Sequence, residues 1–145
     1  MRGIVLSAVE RCAHKENGEY SVMQRKPRIR IISKAQMRKN TGGAMSQGGE
    51  SIGNTIFITK DAGNFVIEHE KAHIKLKHTP ARLTAEQLIK RELKADVLAV
   101  KNTGMKRYPK YYLNSVVNDI SGRFGTPKKE VKPIVIREAK KLKLI

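Results

Sequence analysis

Val66-Ile67-Glu68-His69-Glu70-Lys71-Ala72-His73 places two histidines and a glutamate within five residues. His69 and His73 are four residues apart. On a helix, side chains at i and i+4 stand one above the other on the same face. Two imidazoles at that spacing can reach a single metal ion. Glu70, between them, points about a quarter turn away, where a carboxylate can touch a water on that ion.

Residues 54–59 (Asn-Thr-Ile-Phe-Ile-Thr) are rich in β-branched and aromatic side chains and predict a strand just before the helix. Asp61-Ala62-Gly63-Asn64 reads as a turn, with Asn64 as N-cap. The helix is expected over residues 65–77, with Phe65, Val66, His69, Ala72, His73 and Leu76 on one face. The two histidines thus interrupt an apolar stripe. Thr79-Pro80 breaks the helix. Thr84-Ala85-Glu86-Gln87 matches a capping box and opens a second helix, expected to run to about Lys101 and to stop at residues 102–104. Its inward face reads Ala85, Leu88, Ile89, Glu92, Asp96 and Ala99.

Glu92 and Asp96 lie one turn apart within that apolar face. An ionised carboxylate there costs several kcal/mol unless it is paired or bound to a metal. Two antiparallel helices joined by a short loop can bring Glu92 opposite His69 and His73. Catalytic zinc takes three protein ligands, and Glu92 is the candidate third. Asp96, one turn further on, can accept the outer ring N–H of a ligand histidine and so set its orientation.

His69-Glu70-Lys71-Ala72-His73 followed by Glu92-Leu93-Lys94-Ala95-Asp96 resembles the gluzincin metallopeptidases, which carry a His-Glu-x-x-His helix and a Glu-x-x-x-Asp helix. The form of the second motif is most similar to the CAAX-prenyl and heat-shock peptidase branch. The resemblance covers roughly residues 50–100. It implies an α+β fold, with a small sheet of about three strands packed on the His-Glu-x-x-His helix and a Glu-bearing helix, and with further C-terminal helices. It implies one zinc ion held by His69, His73 and Glu92, with Glu70 as general base and Asp96 behind the ligands. It also implies an edge strand, around Ala44, Met45 and Ser46, that pairs with an extended protein or peptide substrate. Departures are visible. Lys71-Ala72 replaces the Leu-Gly common inside the family motif, which puts a charge beside the site. The transmembrane helices of the closest branch are missing, so a minimal soluble relative is expected. No residue is identifiable as the family's oxyanion stabiliser; His14, Tyr108, Tyr111 and Tyr112 are the candidates. His78 falls one residue short of position 79, where a metzincin third histidine would stand, and reads as a helix-terminal histidine favoured by the dipole.

The remaining chain supplies context. At 145 residues and 39% hydrophobic, it suits one compact domain, residues 1–145, and gives no sign of wholesale disorder. A single cysteine, Cys12, cannot form an internal disulfide, which favours a reducing, cytoplasmic setting with Cys12 buried. No apolar run reaches a membrane span. Ile4-Val5-Leu6 is too short a core for a signal peptide. The net charge of +17 is uneven: Lys and Arg outnumber acids ten to three in residues 1–40, nine to seven in 41–104 and eleven to three in 105–145. Basic flanks can attract nucleic acid or an acidic partner, or be only a solvated surface.

Residues 4–14 have a near-helical period, and Glu16-Asn17-Gly18-Glu19 reads as a turn. Arg28 to Ile32 alternates basic and apolar residues, predicting a strand with one buried face. Residues 35–53, with five glycines, read as a loop or a poorly packed edge strand. Helices are expected over residues 108–124, with Tyr112, Val116, Val117 and Ile120 inward, and over 128–144, where Pro133 kinks the helix or delays its start. Two functions compete: a zinc-dependent peptidase, and a non-enzymatic basic nucleic-acid-binding or regulatory protein that keeps the zincin fold for stability.

Overall fold

β-Branched runs form the sheet. In the computed structural model, which describes residues 25–40, 48–79 and 81–145, the strands are β1 (Arg28–Ile32), β2 (Gly49–Ile52) and β3 (Thr55–Thr59). Their order is β1-β3-β2, with β1 parallel and β2 antiparallel to the central β3. The helices are α1 (Lys34–Asn40), α2 (Asn64–Lys75), α3 (Ala85–Thr103), α4 (Lys110–Phe124) and α5 (Lys128–Lys141). The architecture is α+β, with the His-Glu-x-x-His sequence on α2, the Glu92 sequence on α3, and two further C-terminal helices.

Ile56 and Ile58 project from one face of β3 and are buried. α2 packs over β3 and β2 on the same sheet. Ile29 and Ile31 of β1 stand in register beside Ile56 and Ile58, yet they are 48% and 69% exposed. The buried face expected for this strand is therefore not formed; β1 is an edge strand beyond the reach of α2. α3 packs along α2 and carries α4 and α5 on its other sides. Ile89, Leu93, Ala99, Leu113, Val116, Val117, Ile120, Val131, Val135 and Ala139 make one core with Phe65 and Tyr108. Because α3 is packed on several sides, its buried arc also takes in Leu93 and Ala95, which a single inward face left out.

Local boundaries follow capping chemistry. Thr84 accepts from Gln87 N–H while the Gln87 side chain accepts from Thr84 N–H, the expected capping box, and Gly104 ends α3 in the left-handed region at φ 67°. Asn64 does not cap α2. Gly63 holds the N-cap position without a side-chain bond, and Asn64 is the first helical residue. α4 starts after Tyr108, at Lys110, because Pro109 has no N–H and suits the helix entrance. Pro133 sits inside α5, one turn from its start.

Residues 35–53 are not simply a loop. Lys34–Asn40 is a helix, opened by Ser33, whose Oγ accepts from Gln36 N–H at 3.1 Å, and anchored by buried Met37. One apolar anchor in seven residues leaves no period to read. The edge strand is Gly49–Ile52; Ala44, Met45 and Ser46 lie outside the described residues, as do the expected helix over residues 4–14, the turn at 16–19, and Cys12. No described helix is long and apolar enough to cross a membrane.

Candidate metal centre

α2 and α3 bring three donor atoms to one point. His69 Nε2 and His73 Nε2 are 2.9 Å apart, and Glu92 Oε2 lies 3.2 Å from the first and 3.3 Å from the second. Among the described residues this is the one such group of three or more His, Cys, Asp or Glu donors. Ligand atoms about 2.0–2.2 Å from a tetrahedral ion stand roughly 3.3–3.6 Å from each other. The observed triangle is slightly tighter and needs only a small spreading of the rings. Two imidazoles and one carboxylate form a donor set that suits zinc.

Behind the triangle, His69 Nδ1–H donates to Asp96 Oδ1 at 2.7 Å. Asp96 is fully buried, and its other oxygen accepts from the Tyr108 hydroxyl. A carboxylate can only accept, so the proton is on Nδ1 and the Nε2 of His69 faces the triangle. Burial opposes charge on His69, but the bonds to Asp96 and then Glu92 outweigh it and hold its proton affinity well above the ordinary value. Burial likewise opposes charge on Glu92, and the bonds to His69 and His73 overcome it, keeping the carboxyl far below its usual range.

Glu70 is buried on the same helix and lies on the wall of the same cleft, about 600 Å³ in volume. β2 passes so close that a Cβ on Gly49 would stand 2.6 Å from Val66 Cγ1 and 3.0 Å from Glu70 Cγ. Glycine at 49 is what lets the edge strand lie against Glu70. Glu50 and Ser51 continue the wall. Burial, and then the charge of Glu70, raise the proton affinity of Glu50. Across the cleft stand Arg123 and Asp119 of α4, with Arg123 Nε bonded to both Asp119 oxygens at 2.8 and 2.9 Å.

The expected ligands His69, His73 and Glu92 are brought together, with Asp96 directly behind and Glu70 beside them. None of the three tyrosines lines the cleft: Tyr108 is bonded to Asp96, Tyr112 stacks on Phe65 with centroids 3.9 Å apart, and Tyr111 is 65% exposed; His14 lies outside the described residues. Lys71 does not leave a free charge beside the site, since its Nζ lies 2.6 Å from Glu68. His78 is not a dipole-stabilised cation. Burial, followed by the charges of His73 and Arg91, lowers its pKa to about 4, and its Nδ1 lies 2.8 Å from His73 Nδ1. Sequence reading missed this contact, and missed Glu50, Asp119 and Arg123 as cleft residues, because no local spacing links them to α2. Comparisons of the chain with family models, curated proteins and solved structures found no match.

Proposed function

We propose that the chain is a zinc-dependent peptidase, with His69, His73 and Glu92 as ligands and Glu70 as general base. The observation that carries this reading is the convergence of three donor atoms within 3.3 Å, two on buried histidines and one on half-buried Glu92, in one cleft with a buried glutamate. When bound, zinc would polarise the scissile carbonyl and lower the pKa of the attacking water. Glu70, on the wall of the same cleft, would take the proton from the attacking water and pass it to the leaving amine. Asp96 keeps His69 in the tautomer whose Nε2 lone pair faces inward. β2, an edge strand on the cleft wall, offers backbone groups to an extended peptide. Arg123, held by Asp119, supplies a cation on the opposite wall.

A basic depression on α5, lined by Lys129, Lys132 and Lys140 with Pro133 and Ile136, supports a second reading: a non-enzymatic nucleic-acid-binding or regulatory protein that keeps zinc for stability. One pair of measurements separates the two. Elemental analysis should find one zinc per chain, lost in Glu92→Ala. Glu70→Gln should keep the zinc and reduce hydrolysis of a peptide library about 10²–10⁴-fold. A metal-free parent chain would refute the ligand set. Zinc-loaded parent protein that cleaves no peptide but binds DNA or RNA, with salt-dependent affinity unchanged by Glu70→Gln, would favour the second reading.

A further inference from the structure

Three helices of this chain end in the same way. α3 closes with Gly104 N–H on Lys101 O and Met105 N–H on Val100 O; α5 closes with Lys143 N–H on Lys140 O and Leu144 N–H on Ala139 O. α2 repeats the pattern, with Lys77 N–H on Ile74 O at 3.0 Å and His78 N–H on His73 O at 2.9 Å. In each, the residue that donates the first of these bonds has positive φ: 54° at Lys77, 67° at Gly104 and 56° at Lys143. This Schellman ending folds the second residue past the cap back over the residue five positions earlier, and an apolar contact there is its usual companion. Met105 and Leu144 follow that rule and pack on the core. His78 does not. Its ring is folded onto the ring of His73, with centroids 5.1 Å apart and the two Nδ1 atoms at 2.8 Å. Arg91 of α3 clamps the loop, its guanidinium donating to His78 O at 3.1 Å and Thr79 O at 2.7 Å.

We propose that His78 is a positioning residue for the metal centre: it accepts the Nδ1–H of His73 and so turns the Nε2 lone pair of His73 toward the ion. The inference rests on the metal reading of the site and adds to it. His69 and His73 each need a partner on the outer nitrogen, because a ligand imidazole with a free Nδ1 can carry its proton on either nitrogen. Asp96 serves His69. Glu92 lies at the other ring nitrogen of His73, 3.3 Å from Nε2, and the group within reach of Nδ1 is the His78 imidazole. Chain geometry explains the choice: the Schellman ending brings residue 78 back to His73, and Arg91 of α3 fixes the loop there.

The test uses two substitutions of the full chain. His78→Leu supplies the apolar contact usual for this helix ending but no acceptor. His78→Asn places a carbonyl Oδ1 where Nδ1 of His78 now stands. Chelator competition should show zinc affinity reduced about tenfold or more in His78→Leu and restored to within about threefold of the parent in His78→Asn. In metal-free protein, long-range ¹H–¹⁵N NMR should find His73 as the Nδ1–H tautomer in the parent and in His78→Asn, and not in His78→Leu. Equal zinc affinity in the parent and His78→Leu, or an Nε2–H His73 in the parent, overturns the proposal. A parent chain that binds no zinc defeats the metal reading itself, and the tautomer of His73 then decides the positioning role separately.

Discussion

Replacing Asp96 with asparagine changes one atom of a fully buried side chain and tests how the site is held. Asp96 accepts from His69 Nδ1–H at 2.7 Å and from the Tyr108 hydroxyl. Asparagine can keep both contacts in altered form. Its carbonyl still accepts from His69, and its NH₂ donates to a Tyr108 hydroxyl turned to accept. The loss is the charge assistance on the His69 bond. A hydrogen bond to a charged group contributes about 1.5–3 kcal/mol against about 0.5–1.5 for a neutral pair, so the deficit is about 1–1.5 kcal/mol. At roughly 1.4 kcal/mol per factor of ten, Asp96→Asn should weaken zinc binding about tenfold. Asp96→Ala strands both the His69 N–H and the Tyr108 hydroxyl in the interior, and should cost closer to a hundredfold. Chelator competition at fixed pH, with thermal unfolding of the metal-free forms as control, gives both numbers. A zinc affinity of Asp96→Asn within twofold of the parent would refute the argument that this carboxylate tunes His69.

Gly49→Ala should lower the thermal midpoint by an amount equivalent to about 1–3 kcal/mol, and reduce the proposed peptidase activity without loss of the proposed zinc, because the new Cβ would stand 2.6 Å from Val66 and 3.0 Å from Glu70; an unchanged midpoint would show that β2 yields freely there. Lys77→Gly should raise the urea midpoint by the equivalent of about 0.5–1 kcal/mol, since φ is 54° at this position and a side chain is strained there; the gain is net of the extra chain entropy of glycine, and a lower midpoint contradicts it. Lys141, 2.9 Å away, holds the Glu138 carboxyl below its ordinary value of 4.5, so its stabilising contribution is present above about pH 4.5 and fades as pH falls through the lower folded value. The unfolding midpoints of the parent and Glu138→Gln should therefore differ near neutral pH and converge in acid; a constant difference across that range would contradict the pairing.

The two site helices were legible because their signals are local. Histidines at i and i+4, the Thr84 capping box, Gly104 and the strand just before α2 each express backbone geometry within a few residues. Glu92 could be placed as well, since carboxylates on an apolar helix face demand a partner. α1 was not legible, because Met37 is its one buried anchor and a single anchor has no period. β1 misled: its alternation matches a half-buried strand, but whether Ile29 and Ile31 are covered depends on where α2 lies. His78 shows the division most clearly. Read along the chain it is a polar residue past a helix end, one place out of register for a ligand. The left-handed turn at Lys77 and the Arg91 clamp fold its ring onto His73, and burial there keeps it neutral. Sequence spacing was enough to nominate the donor set, because helical periodicity is a property of adjacent residues. The partners that orient those donors, and the cleft wall of Gly49, Glu50 and Arg123, come from segments far apart in the chain, and only packing decides which of them meet.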